Sequence, residues 1–217
     1  MEALILYFVL FFPGVFSSPF PAQGIDAAAL IPFSVLRELG RTFTYTIPSL
    51  ALLWYLISDK KGFSALADEK PRIRDLIPFA AGLPALIVTG FGISFLVSHF
   101  SGLLGLPQPL KVEAPGNIIG WIVMVASCLA SGYLEESYFR YYLLTRLESA
   151  VSPEVLRILF STVLFGFCHF YEGPWGILNA VLAGVILSVL FVRYRSLHGV
   201  AWAHGVYNIF VYVMGVV

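Results

Sequence analysis

The chain is short of charge. Of its 217 residues only 12% are Asp, Glu, Lys or Arg, thirteen acidic against thirteen basic, so the formal net charge is zero. A soluble domain carries about 25% charged residues, and half that number does not wet a surface of this size. The even balance leaves no basic excess to hold a phosphate backbone, which argues against nucleic acid as a partner. The two cysteines, Cys128 and Cys168, both lie in apolar runs and are too few for a disulfide scaffold. There is no internal repeat, no low-complexity tract, no glycine-rich nucleotide motif and no HExxH pair of the kind that holds a protease zinc. Nor does a basic residue precede the first apolar run, residues 3–16. That run has the length of a signal-peptide core and is followed by Ser17 and Ser18, where cleavage would fall. Without a basic leader it reads as a retained first span.

What is present is hydrocarbon: 59% hydrophobic residues, 16% aromatic ones and a mean hydropathy of +0.85. The expectation is an integral membrane protein, all-α, a polytopic transmembrane helical bundle of about seven spans forming a single membrane domain over residues 1–217. Residues 17–28, with Pro19, Pro21 and Gly24, read as a loop. Residues 29–57 read as an interfacial helix followed by a span from about residue 42. Arg37 and Arg41 in that helix are expected to snorkel to headgroups. Further crossings are expected at 76–100, 118–146, 157–171, 175–192 and 198–217, with Pro78 and Pro84 bending the first of these and Ser152 capping the helix that opens after Pro153. The basic residues Lys60, Lys61, Lys70, Arg72 and Arg74 cluster in one loop, and nine of thirteen Lys/Arg fall at that side. By the positive-inside rule this side is cytoplasmic, as is the amino terminus. The setting expected is the plasma (inner) membrane of a prokaryote. His99 and His198, at span boundaries, read as interfacial.

One stretch contradicts its surroundings. Glu135, Glu136 and Arg140 stand inside the apolar run 118–144, and a charge in hydrocarbon costs roughly 2.5–3.5 kcal/mol on insertion scales. Such residues face a protein interior or a wet cavity and mark function. Glu136 and Arg140 are four apart, on one helix face, carboxylate first, which is the favourable order for an ion pair. Glu135 points about 100° away and is left over, as a general acid or base would be.

Depth brings further groups to this level. At about 1.5 Å per helical residue, Glu135 is roughly 16 Å from the basic end at Arg146 and His169 roughly 18 Å from Arg157. His204 is roughly 13 Å from Arg195, and Asn208, one turn deeper on the same face, roughly 19 Å. Three helices thus carry polar groups to the middle of the bilayer. Glutamate and two histidines are also acceptable zinc ligands, so Glu135, His169 and His204 leave a metal-dependent reaction open. No other cofactor is expected. Cys168 reads as packing.

The residues resemble a family. Glu135-Glu136-Ser137-Tyr138-Phe139-Arg140 is similar to its EExxxR motif, Phe165-Gly166-Phe167-Cys168-His169 to FxxxH, and His204-Gly205-Val206-Tyr207-Asn208 to HxxxN, in the same order. Together they resemble the CPBP intramembrane proteases, which include the type II CAAX prenyl endopeptidases and the bacteriocin-processing, or Abi, proteins. The catalytic core would span about residues 117–212. The resemblance implies hydrolysis of a peptide bond within the membrane, in a peptide or protein substrate that is lipidated or otherwise membrane-associated. Glu135 and His169 would activate water, His204 and Asn208 would bind the oxyanion, and Glu136 and Arg140 would support the central helix. The alternatives are a zinc-dependent version of the same protease, a non-catalytic immunity or scaffold protein built on the same polar core, and, last, a small transporter.

Overall fold

A computed structural model describes residues 2–12, 31–58, 70–107 and 112–214. The expected loop at 17–28, the cleavage point after residue 16, and Lys60, Lys61 and Lys111 lie outside the described residues. Among those described, the architecture is all-helical without strands, apart from a lone bridge between Ile31 and Val112.

Helix α1 is Glu2–Leu10. Helix α2, Val35–Arg41, runs through a π-helical turn, Thr42–Thr46, straight into α3, Ile47–Ser58, so no interface separates the two. Helix α4 is Leu76–Leu104 and keeps Pro84 in its interior. The central helix α5, Ile118–Glu136, continues as a π-helical segment, Ser137–Leu144, into the short α6, Thr145–Glu148. Then follow α7, Glu154–Cys168, a 3-10 turn Phe170–Glu172, α8, Gly173–Tyr194, and α9, Leu197–Met214.

Capping chemistry sets several of these limits. Asn117 takes the Gly120 N–H at 2.8 Å to open α5, and Ser34 takes the Arg37 N–H at 3.3 Å to open α2. Gly105, at φ +63°, closes α4 in the left-handed conformation that glycine adopts without penalty. Ser152 does not cap α7: the helix starts at Glu154 from an extended Pro153 and no side chain caps it. At its other end α7 stops at Cys168, short of the expected Tyr171, and His169 leaves helical geometry as its last cap.

The protein is an integral membrane protein. Ile73–Leu104, Ile118–Glu148 and Phe170–Tyr194 are each long and apolar enough to cross a bilayer. Among the described residues only these three helices qualify by length and composition, so the count of about seven spans is not established.

The bundle has two distinct ends. At one, Arg195 pairs with Glu148, the Ser196 hydroxyl donates to Asp75 at 2.7 Å, and the Tyr142 hydroxyl donates to Glu2 at 3.1 Å. At the other, the Glu113 N–H donates to the Ile31 carbonyl at 2.9 Å, the Tyr212 hydroxyl meets Glu38 at 3.3 Å, and the Phe33 and Tyr212 rings lie 6.4 Å apart.

Between them the core is densest around the π-helical segment. Ser137, Tyr138, Phe139, Arg140, Tyr142, Leu143 and Leu144 are all buried there, and Leu6, Tyr7 and Leu10 of α1, with Phe11 just after it, close over it. A buried tyrosine hydroxyl needs a partner. Tyr138 finds the Ala3 carbonyl at 2.6 Å and Tyr7 the Leu164 carbonyl at 3.0 Å, and the exposed Tyr45 donates to the Leu10 carbonyl at 2.6 Å. These three bonds tie α1 to the π-helical segment, α7 and the Thr42–Thr46 turn.

Candidate functional site

The site begins with two glycines. A Cβ on Gly132 would stand 2.9 Å from the backbone nitrogen of Gly205, and one on Gly205 3.0 Å from Cα of Leu129. Helices α5 and α9 therefore touch backbone to backbone, as small residues permit in membrane bundles. One turn on from Gly132 is Glu136, and next to Gly205 is His204. The close crossing places their side chains together.

Glu136, fully buried, brings one oxygen against an ion-pair partner and a hydrogen-bond partner. Its Oε1 lies 2.9 Å from Nη1 of Arg140, as the four-residue spacing predicts, and 2.7 Å from Nδ1 of His204. Arg140 is equally buried. Its guanidinium lies 4.2 Å from the Phe165 ring centroid and one Nη reaches the Gly184 carbonyl at 3.4 Å. A desolvated guanidinium over an aromatic face gains from the ring quadrupole. These contacts lock α5, α7, α8 and α9 around one carboxylate. The change to π-helical geometry occurs at this point, where Ser161 donates to the Phe139 carbonyl at 2.8 Å and Trp54 to the Ser137 hydroxyl at 3.1 Å. Such segments concentrate at functional sites.

Glu135 faces elsewhere and is one-fifth exposed, 20% for its side chain. Its Oε2 is buried and takes no hydrogen bond, while Nε2 of His204 stands 3.6 Å away. His204 thus spans both acids, one nitrogen toward each. The Glu135 carboxylate also acts electrostatically on His169, Tyr45 and Tyr171. No hydrogen bond or ion pair joins Glu135 directly to His169. The His169 Nδ1 instead meets the Phe165 carbonyl at 2.8 Å and Sγ of Cys168 at 3.3 Å, and the ring lies parallel to Tyr171 with centroids 6.4 Å apart. Asn208 lies one turn beyond His204, half-buried; beside it Tyr207 donates to Asn179 at 2.7 Å.

The geometry therefore gathers Glu135, Glu136, Arg140 and His204 tightly and brings His169 to their edge. Among the described residues no three of His, Cys, Asp and Glu stand close enough to hold a metal ion.

Two readings change with the structure. His198 is buried, not interfacial, and its Nδ1 meets the Tyr133 hydroxyl at 2.9 Å. Arg41 does not simply snorkel: it pairs at 2.9 Å with Glu38, which is 4% exposed. Tyr45, Tyr171 and Glu172 also border the site, with Glu172 acting on both His169 and Tyr171. A tyrosine two residues past a motif histidine carries no pattern that sequence reading detects. The acid three past it, next to Gly173-Pro174, is a signal that could have been used.

Residues 116–210 match the family described as type II CAAX prenyl endopeptidase Rce1-like, a peptidase family. That stretch contains Glu135, Glu136, Arg140, His169, His204 and Asn208. No curated protein and no solved structure matches the chain.

Proposed function

Because residues 116–210 match the Rce1-like family of type II CAAX prenyl endopeptidases, we propose that this membrane protein is an endopeptidase that hydrolyses a peptide bond in a lipidated or otherwise membrane-associated substrate, with Glu135 and His169 activating the water. The observation that carries the reading is Glu135 itself: like Glu136 it has one oxygen free of hydrogen bonds, but its side chain is 20% exposed where that of Glu136 is fully buried, and it has two imidazoles around it. A buried polar atom without a partner costs about 1–3 kcal/mol, and a water in attacking position would supply that partner.

The steps follow from the groups present. A water held by Glu135 and His169 loses a proton as its oxygen attacks the scissile carbonyl. The carbonyl oxygen becomes an anion, and His204 Nε2 and the Asn208 amide donate to it. The proton then passes to the leaving amine, which departs as the C–N bond breaks. His204 can donate from Nε2 only if that nitrogen is protonated while Nδ1 donates to Glu136. Glu136 and Arg140 take no part in bond making; they hold the imidazole where it is.

The test is hydrolysis of a membrane-embedded peptide by purified full-length protein in detergent or proteoliposomes. Glu135→Gln should lower kcat by about 10²–10⁴, the range for losing a general base, and 1,10-phenanthroline should leave the rate unchanged. Wild-type activity in Glu135→Gln removes the glutamate mechanism. Inhibition by the chelator, relieved by added zinc, replaces it with a metal-dependent one.

A further inference from the structure

One edge of the Arg140 guanidinium is only partly held. A guanidinium carries five N–H donors in a rigid plane, and buried donors in native structures nearly always find acceptors. Nη2 reaches the Gly184 carbonyl at 3.4 Å, a long bond, and Nε, on the same edge of the plane, is buried and donates to nothing. Two hydroxyls are in the same condition. Oγ1 of Thr162 in α7 and Oγ of Ser188 in α8 are buried without a hydrogen-bond partner, in residues that are 2% and 0% exposed.

Gly184 gathers these atoms. A helical carbonyl points along its helix toward the residue four further on, so the guanidinium edge that meets the Gly184 carbonyl also comes up to Ser188. Thr162 closes the other side. A Cβ on Gly184 would stand 3.5 Å from Oγ1 and 3.1 Å from Cγ2 of Thr162 and 3.3 Å from Cδ1 of Phe165, the ring over which the guanidinium lies at 4.2 Å. The space beside Gly184 is thus tight for a methyl group. It suits a water, which approaches a hydroxyl or an N–H to about 2.7–3.0 Å.

Charge narrows the ligand further. Arg140 already faces Glu136 at 2.9 Å, so an anion here would stand uncompensated in the interior, and a cation would meet the guanidinium. What fits is small and neutral, accepts from Nε–H, and donates to a hydroxyl oxygen or to the second lone pair of the Gly184 carbonyl. Buried waters take about three such partners. We propose that Arg140 Nε, Thr162, Ser188 and the Gly184 carbonyl bind one internal water, and that this water fixes the guanidinium that holds Glu136 and, through it, His204. Thr162 and Ser188 are then positioning residues. The water site is a property of the bundle alone; its bearing on turnover rests on the endopeptidase reading.

The experiment is a double-mutant cycle on the full-length chain in one detergent, beside an experimental density map fine enough to show ordered water. Thr162→Val and Ser188→Ala each remove a hydroxyl and little volume. Each should lower the thermal midpoint by about 2–4 °C, and the double variant should fall no further than the worse single one, because the first loss already frees the water. Additive falls overturn the site, as does a wild-type map with no peak within hydrogen-bonding reach of Arg140 Nε, Thr162 Oγ1 and Ser188 Oγ. That map decides alone if a variant does not fold. On a cleavable membrane peptide, Thr162→Val should lower kcat about tenfold at constant KM, the scale of one net hydrogen bond, and Thr162→Ser, which keeps the hydroxyl, should restore it. Coupled midpoints with wild-type kcat leave the water standing and remove its part in turnover. Additive midpoints in an active enzyme remove the water and leave the endopeptidase reading untouched.

Discussion

Nδ1 of His204 lies 2.7 Å from Oε1 of Glu136, the oxygen that also meets Arg140 at 2.9 Å. The acid read from the sequence as half of a structural ion pair is therefore also the anchor of a site imidazole. Removing one partner of a buried pair leaves an uncompensated charge and costs about 3–5 kcal/mol, whereas removing both is far milder. Arg140→Met should lower the thermal midpoint sharply, and Glu136→Gln/Arg140→Met should recover most of the loss. In the recovered protein His204 has lost its charged acceptor, so kcat should stay depressed while KM changes little. A double variant with wild-type kcat would show that the anchor is irrelevant to turnover.

The contact between Gly132 and Gly205 predicts a second pattern. A methyl group on either would stand 2.9–3.0 Å from the backbone or side chain of the other helix, closer than packed atoms tolerate. The helices must part, at about 1–3 kcal/mol for an overpacked core, and Glu136 and His204 part with them. Gly132→Ala and Gly205→Ala should each lose stability and most activity. Gly92→Ala, where nothing lies within 4 Å, should lose neither. Melting curves and initial rates of the three variants, purified in one detergent, decide this.

Much of this arrangement was legible in the sequence because a bilayer penalises charge. Glu135, Glu136 and Arg140 stand out from an apolar run, and the 3.6-residue period alone pairs Glu136 with Arg140, as observed at 2.9 Å. What the period could not give is everything decided by tertiary contact. The π-helical geometry of Ser137–Leu144 has no local signature. It is stabilised from outside, by the Ser161 hydroxyl and the Trp54 indole N–H arriving from other helices and by the Tyr138 hydroxyl leaving for one. A depth ruler likewise predicts that His204 reaches the level of the two acids, but not that it turns one nitrogen to each. His198 was misplaced because an interfacial position in the chain is not an interfacial position in space once a tyrosine from another helix covers it.

No hydrogen bond joins Asn208 to Glu135 or Glu136, and its proposed role is confined to the oxyanion. An oxyanion donor acts in the transition state and hardly at all in the ground state. Asn208→Ala should therefore lower kcat by about 10²–10³, equivalent to about 2.7–4 kcal/mol, with KM and the melting point close to wild type. A rise in KM at constant kcat would instead make Asn208 a residue that binds substrate.

Glu135 yields the prediction that separates a catalytic from a structural core. Its Oε2 is buried without a hydrogen bond, and its side chain is 20% exposed, so solvent relieves only part of the cost of keeping a carboxylate there. An amide of the same shape removes the charge and can donate to a neighbour. Glu135→Gln should raise stability by about 1 kcal/mol, near the net worth of one hydrogen bond, while abolishing hydrolysis. A site held under strain for chemistry behaves in this way. A Glu135 kept only for packing would be held by its neighbours as a carboxylate, and in that case the substitution should destabilise. The comparison needs only two melting curves at one pH, and a fall in the midpoint for Glu135→Gln would count against a water-activating role even before a substrate is found.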